Sequence, residues 1–182
     1  PKYLDESLEV LKSKKNRIIL IQKKKIFKSY VSRDILNGKL KQEVDNEIKD
    51  YNSWQLATEK KLDKSSIEDL EFANRIVKHS KSNSIVLVKD KQMLSSGVGQ
   101  TSRVDALKFA IEKAKTFNFD LKGSVMASDA FFPFPDCIEI ASEAGIQGVI
   151  QPGGSIKDDL SIESCNQRGM SMYLSGTRHF YH

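Results

Sequence analysis

No uninterrupted apolar run in the 182 residues reaches the roughly 18 that a membrane-spanning helix needs. The opening "PKYLDESLEVL" has neither the apolar core of a signal peptide nor the pattern of a transit peptide. These absences give the expectation of a soluble, cytoplasmic protein with no membrane partner. Cysteine is scarce: Cys137 and Cys165 lack metal-ligand spacing and fall on apolar helix faces, so buried free thiols are expected, with no disulfide and no metal. The chain has no H-x-E and no P-C-x-x-C, which excludes zinc-dependent deamination. Neither thiol lies beside a histidine base and "GGS" lacks the nucleophile-elbow pattern, so no serine or cysteine triad is supported. The first residue is Pro1 rather than Met, from which the chain is expected to be a piece of a longer protein.

What is present is charge and a core. The apolar fraction of 39% in 182 residues is enough to bury one domain or slightly more. The net charge of +5 is concentrated in "KSKKNR" and "QKKKIFK" near the N-terminus, without an aromatic platform or a nucleic-acid motif. A solvated basic face is therefore expected rather than a nucleic-acid partner, and such a surface suits small anionic ligands.

Leu4, Leu8 and Leu11 recur at helical spacing, with acids early and lysines late, and predict a helix over 4–15. "RIILI", 17–21, reads as a short buried strand. The charged stretch from there to about 62 has "NGK" at 37–39 as its one clear turn signal. From Ser65 the pattern sharpens. "SSIE" reads as a capping box, and Ile67, Leu70, Ala73, Ile76 and Val77 form one apolar stripe ending near Ser80.

"SIVLV", 84–88, is a buried strand, and "KDK" turns it into a second strand at about 92–97. A helix follows over 101–115, capped by Thr101 or Ser102. Then come strand 123–127, helix 136–144 stopped by Gly145, strand 147–151, helix 158–168 stopped by Gly169, and strand 170–174. This α-β-β-α-β-α-β-α-β order predicts a three-layer α-β-α domain with a mixed, largely parallel sheet. An opening antiparallel pair followed by crossovers is the layout of cytidine-deaminase-like domains.

In such a sheet ligands bind beyond the carboxyl ends of the strands. "SDAFFPFPD", 128–136, follows one strand and "PGGS", 152–155, follows the next, so the two loops are expected to frame one crevice. Phe131, Phe132 and Phe134 can stack on a flat heterocycle, and Asp129 and Asp136 can accept hydrogen bonds from its ring N–H groups. Alternatively, the phenylalanines plug a gap in the core and Asp136 caps the next helix. "GVGQTSR", 97–103, brings Arg103 to a helix N-terminus where an anion can bind, although a G-x-G without its third glycine is no dinucleotide fingerprint. "KHSKSNS", 78–84, offers His79, Lys81 and Asn83. The tail "SGTRHFYH" frays by default, yet Phe180 and Tyr181 give it surface to dock, which would bring Arg178 to a phosphate.

"VKHSKSNSIVLVKD", "GVGQTSRVDALKFAIEKA", "ASDAFFPFPDCIEIASEAGI", "VIQPGGSIKDD", "GTRHFYH" and the opening "LDESLEVLKSKKN" together resemble the C-terminal half of a bifunctional purine-biosynthesis family. Its two activities are AICAR formyltransferase and IMP cyclohydrolase. The resemblance covers nearly all of the chain and departs over about 22–62, apart from a loose match around Trp54. It implies transfer of a formyl group from 10-formyltetrahydrofolate to the 5-amino group of AICAR. It divides the chain into 1–62, the end of an upstream subdomain with a connecting segment, and 63–182, a second cytidine-deaminase-like subdomain.

Asn83, Arg103, Phe131 and Arg178 match family positions that contact the nucleotide, Arg178 at its phosphate. Val104, Asp136, Ser155 and Ile156 match positions on the folate side, where Asp136 would accept hydrogen bonds from the pterin. The family's catalytic Lys-His pair lies upstream, and Lys78–His79 does not match it. No catalytic residue is therefore expected in this chain, which would need its upstream half, be inactive alone, and act within a homodimer. The resemblance leaves a bound monovalent cation open and puts the cyclohydrolase in the parent protein. A free-standing nucleotide-binding module without catalysis is the alternative.

Overall fold

The computed structural model describes residues 3–13, 15–16, 18–20 and 29–181. The chain divides into two compact units, Pro1–Val44 and Asp45–His182.

The first unit contains helix α1, Asp5–Lys12, with Asp5 and Glu6 in its first turn and Lys12 in its last, which complements the helix dipole. An antiparallel hairpin follows: β1, Tyr30–Ile35, and β2, Gly38–Glu43, paired from Tyr30↔Glu43 to Ile35↔Gly38. Leu36 at its turn has φ 49°, and the "NGK" signal marks this turn. Of the buried strand read at 17–21, only residues 18–20 are described. Residues 18–20 carry no strand and Ile18 is 86% exposed, because a short apolar run becomes a strand only where a sheet edge supplies its ladder. Arg17 and Ile21, like the basic run at 22–28 and His182, lie outside the described residues.

The second unit is a six-stranded sheet between helices. A 3-10 turn at Tyr51–Ser53 leads into β3, Gln55–Leu56. Helix α2, Lys64–Lys78, precedes β4, Ile85–Lys89, and β5, Gln92–Gly97. Then α3, Arg103–Thr116, leads to β6, Val125–Ser128, and α4, Asp136–Glu143, to β7, Gly148–Gln151. Helix α5, Asp158–Gln167, and β8, Ser171–Leu174, complete it. The spatial order is β3-β8-β7-β6-β4-β5. The sheet is mixed as expected but not largely parallel: among the described residues parallel pairing is confined to β6–β7 and β7–β8, because β4 runs antiparallel to both β5 and β6. β3 adds an antiparallel edge strand on β8 that the sequence does not announce.

Alternation along the strands splits the core into two. Ile85, Leu87, Met126, Val149 and Met172 pack with α3, α4 and α5 on one face. Val86, Val88, Val125, Ala127, Ile150 and Tyr173 pack with α2 and Trp54 on the other. That is the expected α-β-α layering. The cap of α2 differs from the "SSIE" reading: Asp63 Oδ1 accepts from the Ser66 N–H at 2.8 Å. Ser65 donates its hydroxyl to the same carboxylate at 3.0 Å, since an anion is a stronger acceptor for the helix's open N–H groups than a hydroxyl. Ser102 caps α3 as read, accepting from the Asp105 N–H. Among the described residues no helix is long and apolar enough to cross a membrane.

Candidate functional site

Strand direction determines what meets at the sheet edge. Because β4 opposes its neighbours, its first residue, Ile85, pairs with the last of β5, Gly97, and the last of β6, Ser128. β7 and β8 end on the same side at Gln151 and Leu174. The segments carrying Asn83, Arg103, Phe131, Ser155 and Arg178 thus all leave the sheet at one edge.

Asn83 ties the approach of β4 to the entry of α3. Its Nδ2 donates to the Gln100 and Thr101 carbonyls at 3.0 and 3.2 Å, and its backbone exchanges two hydrogen bonds with Gln100. Arg103 opens α3, and its Nη2 lies 3.6 Å from Asp129 Oδ1, with the arginine side chain 13% exposed. Burial pushes the Arg103 guanidinium below its ordinary value, Asp129 opposes the shift and Arg178 adds to it, so the two arginines lie within electrostatic reach of each other.

Asp129 is fully buried, which corrects its reading as an acceptor for a ring N–H. Its Oδ1 accepts from the Ser84 N–H at 3.2 Å and faces Arg103, and its backbone carbonyl accepts from the His179 N–H at 3.0 Å. Asp129 joins β4, α3 and the C-terminal tail.

The phenylalanines differ in burial. Phe132 is fully buried in the core, a burial worth roughly 1.5–3 kcal/mol. Phe131 is half-buried, whereas Phe134 is exposed with Lys157 Nζ 4.1 Å from its ring centroid. That contact, and the Phe132 N–H donated to Gln151 Oε1 at 2.8 Å, bring the phenylalanine-proline loop against the double-glycine loop as expected. In the second loop Asp158 Oδ2 accepts the N–H groups of Gly154 and Ser155 at 2.7 and 3.0 Å. Ser155 is half-buried and Ile156 fully exposed, while Val104 packs against the core. Asp136 opens α4, half-buried, with its Oδ1 2.8 Å from the Cys137 N–H.

The tail docks. The Ser82 N–H donates to the Tyr181 carbonyl and the Tyr181 N–H to Ser82 Oγ, both at 2.9 Å. His179 is 1% exposed with Nδ1 2.6 Å from Asp45 Oδ2, and Arg178 stays exposed, stacked 4.0 Å over the Phe180 ring. Sequence reasoning missed the roles of Gln151, Asp158 and Asp45, and only the aromatics around His179 hinted at a docked tail.

Both cysteines are free and buried, and burial pushes each thiol up to about 12, so neither is a ready nucleophile. Among the described residues no group of three or more His, Cys, Asp and Glu side chains could hold a metal ion. An open cavity of about 470 Å³ lies toward the start of α2, lined in part by Tyr51, Leu62, Lys64 and Ile67, away from the edge where the site residues gather.

The bifunctional purine biosynthesis protein PurH of Bacteroides thetaiotaomicron is 58% identical over 182 residues, which is all of this chain and 36% of that protein. PurH of Aquifex aeolicus is 45% identical over 182 residues, again all of this chain and 35% of its own length. The chain thus spans about a third of the curated relatives it matches. Among solved structures, dCMP deaminase of cyanophage S-TIM5 is 18% identical with TM-score 0.42, covering 58% of this chain and 92% of its own. A deaminase/reductase from Thermotoga maritima is 22% identical with TM-score 0.39, covering 58% of this chain and 33% of its own. The family model described as the AICARFT/IMPCHase bienzyme matches residues 1–113. With that match over more than half of its residues, this chain belongs to the AICARFT/IMPCHase bienzyme family.

Proposed function

We propose that this chain is part of a folate-dependent formyltransferase in purine (IMP) biosynthesis, acting in a parent protein that also carries IMP cyclohydrolase. The formyl carbon leaves N10 of 10-formyltetrahydrofolate and bonds to the 5-amino nitrogen of AICAR. That nitrogen gives up one proton, N10 regains one, and formylated AICAR and tetrahydrofolate are released. The 5-amino group is a weak nucleophile, so a base is needed, and the family's Lys-His pair would come from the upstream part of the protein.

This chain would bind and orient. Arg178 is exposed, its guanidinium fork suited to grip the nucleotide's phosphate, and Arg103 adds positive potential from its buried position. Two arginines within reach of each other gain from an anion placed between them. Phe131 would lie against the heterocycle and Asn83 would offer its amide oxygen. On the folate side, Asp136 would accept hydrogen bonds from the pterin, with Val104, Ser155 and Ile156 along it. The parent protein is expected to act as a homodimer.

The observation that carries this reading is the departure of all five chain segments from one sheet edge, in a chain of this family. Calorimetry tests it: AICAR should bind the full-length protein and bind this chain weakly by itself. Equally tight binding by the chain alone would favour a free-standing nucleotide-binding module.

A further inference from the structure

Gln151, the last residue of β7, is fully buried, and its side chain reaches both loops of the candidate site. Its Oε1 accepts the Phe132 N–H at 2.8 Å, and its Nε2 donates to Asp158 Oδ1 at 3.3 Å, with Met172 Sδ at 3.4 Å from the same nitrogen. Asp158 passes the connection on through Oδ2, which takes the N–H groups of Gly154 and Ser155. Gly153 and Gly154 have φ of 77° and 92°, a region open to glycine at little cost, and this turns the two amides toward Asp158. The backbone beside Phe131 and the backbone beside Ile156 are thus the two ends of one relay.

The polarity of the relay dictates its residues. Phe132 presents a donor and Asp158 an acceptor, so the side chain between them must accept at one end and donate at the other, which a carboxamide does. A glutamate at 151 would set two carboxylates against each other. A leucine would leave a buried N–H without a partner.

We propose that Gln151 and Asp158 are positioning residues that fix the separation of the two ligand-facing loops, and with it the alignment of formyl donor and acceptor. This rests on the formyltransferase reading above. The substrates meet between loops whose spacing a rigid side-chain bridge sets, so an error of an ångström at the bridge is an error at the reacting atoms.

The test is a polarity swap in the full-length protein. Gln151→Glu alone and Asp158→Asn alone should each raise KM for 10-formyltetrahydrofolate roughly tenfold, as expected for loss of a charge-assisted hydrogen bond. In the double variant the carboxylate introduced at 151 accepts from both the Phe132 N–H and the amide nitrogen introduced at 158, while the amide oxygen at 158 takes the Gly154 and Ser155 N–H groups. Its KM should return to within about threefold of the parent value, a strongly non-additive result. A double variant at least as impaired as the two singles combined would overturn the relay. Amide hydrogen exchange supplies a readout independent of catalysis: Asp158→Asn should speed exchange at Phe132, across the bridge, as well as at Gly154 and Ser155. Unchanged protection at Phe132 would reduce Asp158 to a local cap and overturn the proposal. Should Phe131→Ala and Arg178→Ala leave both KM values untouched, the function reading fails, while the exchange experiment still decides the relay.

Discussion

His179 Nδ1 lies 2.6 Å from Asp45 Oδ2, pinning the C-terminal tail to the first residue of the second unit. Lys78 joins them: its Nζ is 3.6 Å from Asp45 Oδ1 and donates to the Glu47 carbonyl at 2.9 Å, with only 9% of its side chain exposed. The hydrogen bond of the buried imidazole to the Asp45 carboxylate is worth about 1.5–3 kcal/mol. His179→Ala should therefore lower the stability of the unit by that order and free the tail. Limited proteolysis reads the outcome: faster cleavage between 175 and 181 is expected, and an equally protected tail would show that Ser82 and Asp129 hold it without the pair.

Gly97 is required for a close approach rather than for a turn. A Cβ there would stand 1.9 Å from the Ala106 carbonyl oxygen in α3, a clash with backbone that no rotamer change relieves. Gly97→Ala must push α3 away from β5, and overpacking of this kind costs about 1–3 kcal/mol. Since Arg103 sits at the start of α3, the substitution should lower Tm and weaken AICAR binding together. A variant with lowered Tm and intact AICAR affinity would separate the helix's placement from the ligand site.

What could be read from sequence was local. Ser102 before an apolar stripe, Asp90–Lys91 between two strands, and Gly145 and Gly169 after helices each carry their signal within a few residues, and all lie where expected. The hairpin at 30–43 escaped because both its faces are largely exposed, so no alternation of apolar and polar residues betrays it. β3 is two residues long and exists only through β8. At the site, the loops were visible as apolar and glycine-rich departures from ordinary turns. Their internal wiring was not: Gln151 looks like the polar end of an apolar strand, and Asp45 meets His179 across 134 residues of sequence. Asp129 was misread for a related reason, since an acid in a loop gives no sign that it will be buried against Arg103.

Cys137 and Cys165 give the protein an alkaline weakness. Burial raises both thiols from 9.0 to about 12, with Asp136 adding to the shift at Cys137. Above pH 9 the unfolded chain releases protons that the folded one retains, so this contribution is complete below pH 9 and is lost as pH climbs toward 12. Each thiol should steepen the fall by up to about 1.4 kcal/mol per pH unit. Urea unfolding of Cys165→Ala between about pH 9 and 10.5 should show a shallower decline than the parent, and identical slopes would mean the thiol ionises in place. Iodoacetamide at about pH 8 should label both cysteines only after unfolding.

Arg178 and Asp136 provide the test of which ligand lies where. Arg178 is exposed at the sheet edge with its guanidinium stacked on Phe180, so its loss removes little packing and acts chiefly on charge. Arg178→Ala in the full-length protein should weaken AICAR binding by roughly 1.5–3 kcal/mol, the worth of a charge-assisted contact, and leave the affinity for 10-formyltetrahydrofolate nearly unchanged. Asp136→Asn should do the reverse. An asparagine retains an oxygen able to accept the Cys137 N–H, so α4 should still start in place, while the acceptor proposed to face the pterin N–H groups loses its charge. Its KM for the folate should rise with that for AICAR steady. If Asp136→Asn instead raises the AICAR KM alone, the two ligands occupy opposite positions; if neither variant moves either KM, this sheet edge is not where the substrates bind.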